Sequence, residues 1–313
     1  MKSIFYLLLM LPLSTLVSQE KYIQSSLEIY TVSTNKRQVV LTEDSHFEAP
    51  NWSRDGKSLL VNSHGKLYRF DIHSNEKVEI PTGFADKLNN DHGISPDGNW
   101  IVVSHHGLPS ESAKEEWPGN WLESRIYILP YEGGVPRLVT PNAASFWHGW
   151  SPDGQRLAYV GLREGNFDIY SIDIGGGEEL RLTFHQGLDD GPDYSPDGKS
   201  IYYNSMQSGK MEIWRMNTDG SNKEQLTNDD YSNWFPHPSP NGDHVVFLSY
   251  LEDQGDAHPP MKPVALRLYH VDTGHIKTIC TLTGGQGTIN VPSWSPDGNQ
   301  FAFVSYEYLE TGD

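Results

Sequence analysis

His92 and His148 stand where four other copies of a recurring phrase carry proline, at Pro50, Pro192, Pro236 and Pro292. The phrase is an apolar or aromatic residue followed by Ser-Pro-Asp-Gly or a close variant, as in Trp150-Ser151-Pro152-Asp153-Gly154, and it occurs six times. Five places before each motif serine come Glu48, Asn90, Phe146, Asp190, Trp234 and Asn290, and the next place holds Ala49, Asp91, Trp147, Gly191, Phe235 and Val291. Two before the serine, Asp193 and His237 replace the Asn51, Gly93, Gly149 or Ser293 of other copies. A scaffold does not require this variety, so the chemistry is sought here.

Three readings compete for the cluster. His92, His148 and His237 with Asp190 are candidate ligands for a divalent cation, manganese or calcium, because imidazole and carboxylate oxygen suit such ions. The same histidines are candidate catalytic bases opposite a carboxyl acid. The third reading is a polar channel whose groups are simply hydrated. Glu48, Asn90, Asp91, Asp189, Asp190 and Asn290, beside the rings of Trp147, Trp234 and Phe235, form a candidate ligand-binding set. Aromatic faces next to carboxylates and amides suit a sugar ring, and inter-blade packing competes as an explanation of the aromatics.

The elements that position these residues follow from the repeat. The motif glycines fall at 56, 98, 154, 198, 242 and 298, so the intervals are 42, 56, 44, 44 and 56 residues. A unit of this length with several strand-like runs predicts a propeller blade. In the fourth copy the strands are expected over 190–195, 199–205, 212–217 and 223–227. The fold expected is all-β, a six-bladed β-propeller of four-stranded blades. Segments 27–32 and 38–42 complete the last blade with 291–295 and 300–306, which removes open sheet edges. The two long intervals hold insertions, 105–121 and 251–262, between second and third strands. These lie on the face where the chain enters each blade, and the Asp-Gly turns lie on the other. Loops on a rigid scaffold carry function, so the insertion-bearing mouth of the channel is the expected site.

The matching elements Trp150-Ser151-Pro152-Asp153-Gly154-Gln155-Arg156-Leu157-Ala158-Tyr159, Asp168-Ile169-Tyr170-Ser171-Ile172-Asp173 and Leu182-Thr183 resemble the WD40-like repeats of TolB-like propellers. The resemblance covers residues 26–306 and implies six blades. It also implies an envelope-protein partner. TolB proteins carry a separate domain ahead of the propeller, for which this chain leaves no room, so a place in the Tol complex is not expected. The repeats are similar, more distantly, to the propeller of oligogalacturonate lyases, which implies manganese held largely by histidines; no ligand motif matches residue by residue.

Composition narrows the partners. A net charge of -18 over 313 residues argues against nucleic acid. Residues 1–19 read as a signal peptide, with Lys2 ahead of an apolar run at 4–13 that is too short to span a bilayer. Residues 20–313 form the propeller domain, and a periplasmic or secreted location is expected with no transmembrane span. Cys280 is the only cysteine, so no internal disulfide forms. There is no Gly-x-Ser-x-Gly elbow, His-Glu-x-x-His pair or phosphate-binding Gly-Lys loop. Gly284-Gly285-Gln286-Gly287 is expected to be a turn that brings backbone close to a ligand. The function expected is an exported module binding a carbohydrate or a peptide at the loop-bearing mouth. The alternative is a metal-dependent polysaccharide-degrading enzyme, a uronate lyase or hydrolase, using the same His/Asp cluster.

Overall fold

Six small antiparallel sheets arranged as a ring account for every strand of the described residues, 21–107 and 120–310, in the computed structural model. The expected signal peptide and most of the first insertion lie outside the described residues. Among the described residues no helix is long and apolar enough to cross a membrane.

Blades 1 to 5 are four-stranded meanders, and their inner strands are Glu48–Trp52, Leu88–Ile94, Ser145–Trp150, Asp189–Tyr194 and Ser232–Pro238. The outermost strands of blades 1 to 4 are short; in blade 4 only Glu224–Gln225 pairs, against the expected 223–227. Blade 6 is assembled from both ends of the chain. Lys21–Thr31 lies between Lys36–Glu43 and Gln300–Glu310, in register from Lys21 opposite Glu310 to Thr31 opposite Gln300. Its innermost segment, expected as a strand over 291–295, is reduced to a bridge between Trp294 and Phe301.

The recurring phrase builds the lower face. Each motif serine donates its hydroxyl to the motif carboxylate or amide two residues on, at 2.5 to 2.7 Å. The motif glycines have φ between +69° and +78°, a conformation that side chains disfavour. Around the ring, each of these turns packs on the preceding blade: Gly154 faces Pro96, Gly198 faces Pro152, and Gly56 faces Pro296, which closes blade 1 on blade 6. Where blade 1 has Arg54 in place of proline, its guanidinium donates to the Ile94 and Ser95 carbonyls of blade 2. The motif tryptophans wedge between neighbours. Trp294 packs with Val246 and Leu268 of blade 5, Trp52 with Leu27 and Ala302 of blade 6, and Trp150 with Val102 and Ile126 of blade 2.

Every regular inner strand carries a β-bulge immediately upstream of its motif. The ladder slips between Glu48 and Asn51, Leu88 and His92, Trp147 and Gly149, Asp190 and Asp193, and Trp234 and His237. Ala49, Gly191 and Phe235, one per blade at equivalent positions, adopt left-handed φ of 55°, 58° and 54°. A bulge frees residues from the ladder and re-aims their side chains. Second-strand polar groups of the preceding blade pin the bulges. Ser104 Oγ accepts from Trp147 N at 2.8 Å, Asn204 Oδ1 accepts from Phe235 N at 3.0 Å, and Asn62 Nδ2 donates to the Asn89 carbonyl at 2.9 Å.

Candidate functional site

The bulges open onto a cavity of about 540 Å³ at the insertion-bearing mouth of the channel. A smaller cavity of about 230 Å³ lies on the motif face, rimmed by Pro96, Pro152, Pro196 and Pro240. Trp147 lines the lower cavity but not the upper one, whereas its neighbours Phe146 and His148 line the upper. The Trp147 ring presses on Gly93, where an added Cβ would lie 2.1 Å from Cη2, and shares a packed cluster with Ala49 and Val291. It therefore plugs the channel and gives the upper cavity a floor.

Asp190 and His148 form the centre of the wall. His148 Nε2 lies 3.1 Å from Asp190 Oδ1, and Nδ1–H donates to the Asn290 carbonyl at 3.3 Å. Burial alone would lower the imidazole pKa, but the charge of Asp91 and the bond and charge of Asp190 outweigh it and raise the value to about 9. His148 is thus an imidazolium at neutral pH. Asp190 is held below the usual carboxylate range: burial opposes this, and the hydrogen bond and charge of His148 prevail. His258 Nε2, from the second insertion, stands 3.7 Å from Asp190 Oδ2 and edges onto the rings of Trp234 and Phe235.

The other carboxyls are tuned upward. Burial, reinforced by Asp91, pushes Glu48 up to about 8; Asn90 Nδ2 reaches its Oε2 at 3.4 Å. Burial with Asp190 nearby pushes Asp91 up to about 6, against the pull of His148 and a hydrogen bond from Asn89. The Gly284–Gly287 turn brings its backbone against Glu48 instead of a free opening: an added Cβ at Gly287 would lie 2.6 Å from Glu48 Oε2. Gly287 N donates to Asn290 Oδ1 at 2.7 Å, and Asn290 Nδ2 donates to Gln286 Oε1 at 3.0 Å.

Of the residues expected at the site, Glu48, Asn90, Asp91, His148, Asp190, Phe235 and Asn290 line this cavity. Four do not join them, and Trp147 lies beneath as its floor. His92 pairs with Val103 in the ladder, and burial drives its pKa down to about 4, so it is a neutral core residue. His237 is wholly buried, with Nε2–H donating to the Ile289 carbonyl at 2.8 Å and Nδ1 at 3.1 Å from Asp193, which borders the lower cavity. Asp189 is buried beside Ser205 and Thr183, and burial pushes it up to about 6. Trp234 is buried behind His258. His92 and His237 therefore do not converge with His148 and Asp190. Among the described residues no group of three or more His, Cys, Asp or Glu is arranged to hold a metal ion.

The structure adds residues the repeat did not single out. His46 and His64 come from links on the mouth face, Asp256 and His258 from the second insertion, and Phe167 from a third strand. Trp121 and His106, from the described ends of the first insertion, also line the cavity, and Trp121 stacks on Phe167 at 6.4 Å. His105 turns away, edge-on to Phe84 and Tyr127. The signal available for His46, His64, Asp256 and His258 was topological, because they sit in loops or links on the face that carries the insertions, whereas His106 and Trp121 lie in the strand ends Trp100–Gly107 and Asn120–Pro130 that flank the first insertion.

Comparison with known proteins gives a consistent fold. Residues 122–258 match a family model described as a TolB beta propeller domain. An uncharacterised protein of Agrobacterium fabrum is 51% identical over 288 residues, covering 92% of this chain and 94% of the relative. A solved Agrobacterium tumefaciens structure, provisionally designated TolB, is 49% identical with a TM-score of 0.84, covering 92% of this chain and 99% of its own. An oligogalacturonate lyase in complex with manganese superposes with a TM-score of 0.52 over 90% of this chain and 77% of its own. At 14% identity that likeness is one of fold.

Proposed function

The chain belongs to the TolB-like β-propeller family, and on that premise we propose that it is an exported binding module, acting in the periplasm or outside the cell, that holds a small carbohydrate or a peptide segment in its upper cavity. The observation that carries this reading is the blind cavity itself, about 540 Å³ above the Trp147 floor. Its volume lies in the range of small-ligand sites. Its walls pair the rings of Phe146, Phe167 and Phe235 with carboxyls and amides, the combination that receives a ring or backbone with polar substituents. The test is a glycan and peptide array probed with the mature protein and with Phe235→Ala. A hit lost in the variant supports the reading, and the absence of any hit sinks it.

One observation favours a second reading, a hydrolase. Glu48, pushed up to about 8, stays protonated beside Asp91, pushed up only to about 6, and such a split is how a site sets an acid beside a base. Glu48 would give its proton to the leaving oxygen and Asp91 would take one from the attacking water. Turnover of an oligosaccharide with a bell-shaped pH profile, abolished in Glu48→Gln, is its measurement. A uronate substrate has no such support, because its carboxylate would face Glu48, Asp91, Asp190 and Asp256 with no Lys or Arg among the described lining residues.

A further inference from the structure

We propose that the upper cavity recognises a primary ammonium group, seated between the Asp190 and Glu48 sides of the wall; this rests on the ligand-binding reading above and specifies its chemistry. Three oxygens there lack a full set of donors, and Glu48 joins the acceptors once its proton has left. Asp190 Oδ2 has His258 Nε2 at 3.7 Å, beyond hydrogen-bond range. Glu48 Oε2 has the Asn90 amide at 3.4 Å and His46 Nε2 at 3.9 Å. Asn90, which lines the cavity and is 2% exposed, has no partner for Oδ1. An unfilled buried acceptor costs free energy that a ligand donor recovers.

The complement of such a surface is a group with donors and no acceptor. An ammonium has three N–H donors, whereas a hydroxyl brings lone pairs of its own. Among the described lining residues there is no Lys or Arg to occupy these oxygens, and the His148 imidazolium already points both nitrogens elsewhere, at Asp190 Oδ1 and the Asn290 carbonyl. The rings of Phe146, Phe167 and Phe235 line the same cavity, where cation–π attraction strengthens as water is excluded.

A proton accompanies the binding. Glu48 faces His46 beside its own strand, Asp91 and Asn90 from blade 2, and Tyr306 from the closing strand, and it holds its proton at neutral pH. A cation set against it favours the carboxylate, so an ammonium ligand expels that proton on binding. A hydroxyl ligand does not.

Two sources offer the same group, an amino sugar and the free amino end of a peptide. The experiment is titration calorimetry at pH 7 with four probes, D-glucosamine, N-acetyl-D-glucosamine, alanyl-alanine and N-acetyl-alanyl-alanine, in two buffers of different ionisation heat. The expected result is at least tenfold tighter binding of a free amine than of its acetylated partner, with proton release that disappears in Glu48→Gln. Whichever pair responds identifies the source. Equal affinity of free and acetylated probes overturns the ammonium assignment and leaves a cavity that binds neutral ligands. Failure of all four probes overturns the assignment too; the array above then decides the ligand-binding reading separately.

Discussion

Asp190 Oδ1 lies 3.1 Å from His148 Nε2, joining the inner strands of blades 4 and 3 across the wall of the upper cavity, while Asp190 Oδ2 turns toward His258 of the second insertion. One carboxylate thus ties two blades together and faces an inserted loop. It is a structural joint that also lines the cavity, and its share in stability is separable by measurement.

Removing one partner of the pair leaves the other buried without its counter-charge, which costs about 3–5 kcal/mol. His148→Leu is expected to lower the unfolding free energy by that much in denaturant titration. Loss of under about 1 kcal/mol would place the pair among inconsequential contacts.

The pH dependence of stability has a definite sign. His148 is raised to about 9 in the folded chain, so its contribution is complete below the unfolded value near 6.5 and is lost as pH rises to about 9. Glu48 is a carboxyl raised to about 8, so the unfolded chain releases its proton first, and stability falls as pH climbs from about 4.5 to about 8. Both groups make the protein weaker in alkali. Glu48→Gln is expected to flatten the curve between about pH 4.5 and 8 and to exceed wild type above that range, by on the order of a few kcal/mol. Chemical denaturation at a series of pH values reads this, and an unchanged slope in the variant contradicts it.

Trp147 and Gly93 fit as plug and seat. Trp147→Ala is expected to cost about 3–5 kcal/mol and to join the two cavities. Gly93→Ala forces a Cβ to within 2.1 Å of the ring, so overpacking of about 1–3 kcal/mol or more is expected. In the Trp147→Ala background the Gly93→Ala penalty should largely vanish, and a double-mutant cycle measures the coupling. Additive costs would mean that the two residues do not touch.

Asp153→Ala, on the lower face, removes the carboxylate that accepts from Ser151 Oγ at 2.6 Å and from Gln155 N at 3.0 Å. The loss of these turn bonds is expected to cost about 1 kcal/mol and to leave ligand affinity unchanged. A change of affinity beyond twofold would return the motif aspartates to the functional face.

Deleting residues from 300 onward removes the strand Gln300–Glu310 that pairs along the whole of Lys21–Thr31. Closure fails and the strand Lys21–Thr31 is left with an open edge. No cooperative unfolding transition is expected for this deletion; a folded monomer of near-native melting temperature would contradict the closure.

The blade count, the closing blade and the face that carries the upper cavity were legible in the sequence because they follow from the spacing of one turn. The orientation of the residues upstream was not. His92 and His148 occupy the same place relative to their motifs, yet only His148 reaches the cavity. In blade 3 the ladder runs from Trp147 opposite Tyr159 to Gly149 opposite Ala158, so His148 is the bulged residue. In blade 2 the ladder resumes at His92 opposite Val103, and the bulge falls at 89–91 instead. A slip of one residue reverses the face a side chain takes, and no residue type announces where the slip occurs. For Trp147 the sequence left ligand stacking and inter-blade packing open; the small Gly93 that receives its ring lies a blade away in sequence. His258 entered the site because its loop folds inward to Trp234, a tertiary contact without a local signature.

A crystal structure of the protein with a ligand identified on the array tests the central claim most directly. The account predicts ligand density in the upper cavity, above the Trp147 ring and in contact with Asp190 or Glu48. Density confined to the motif face or to the outer strands of the blades would contradict it.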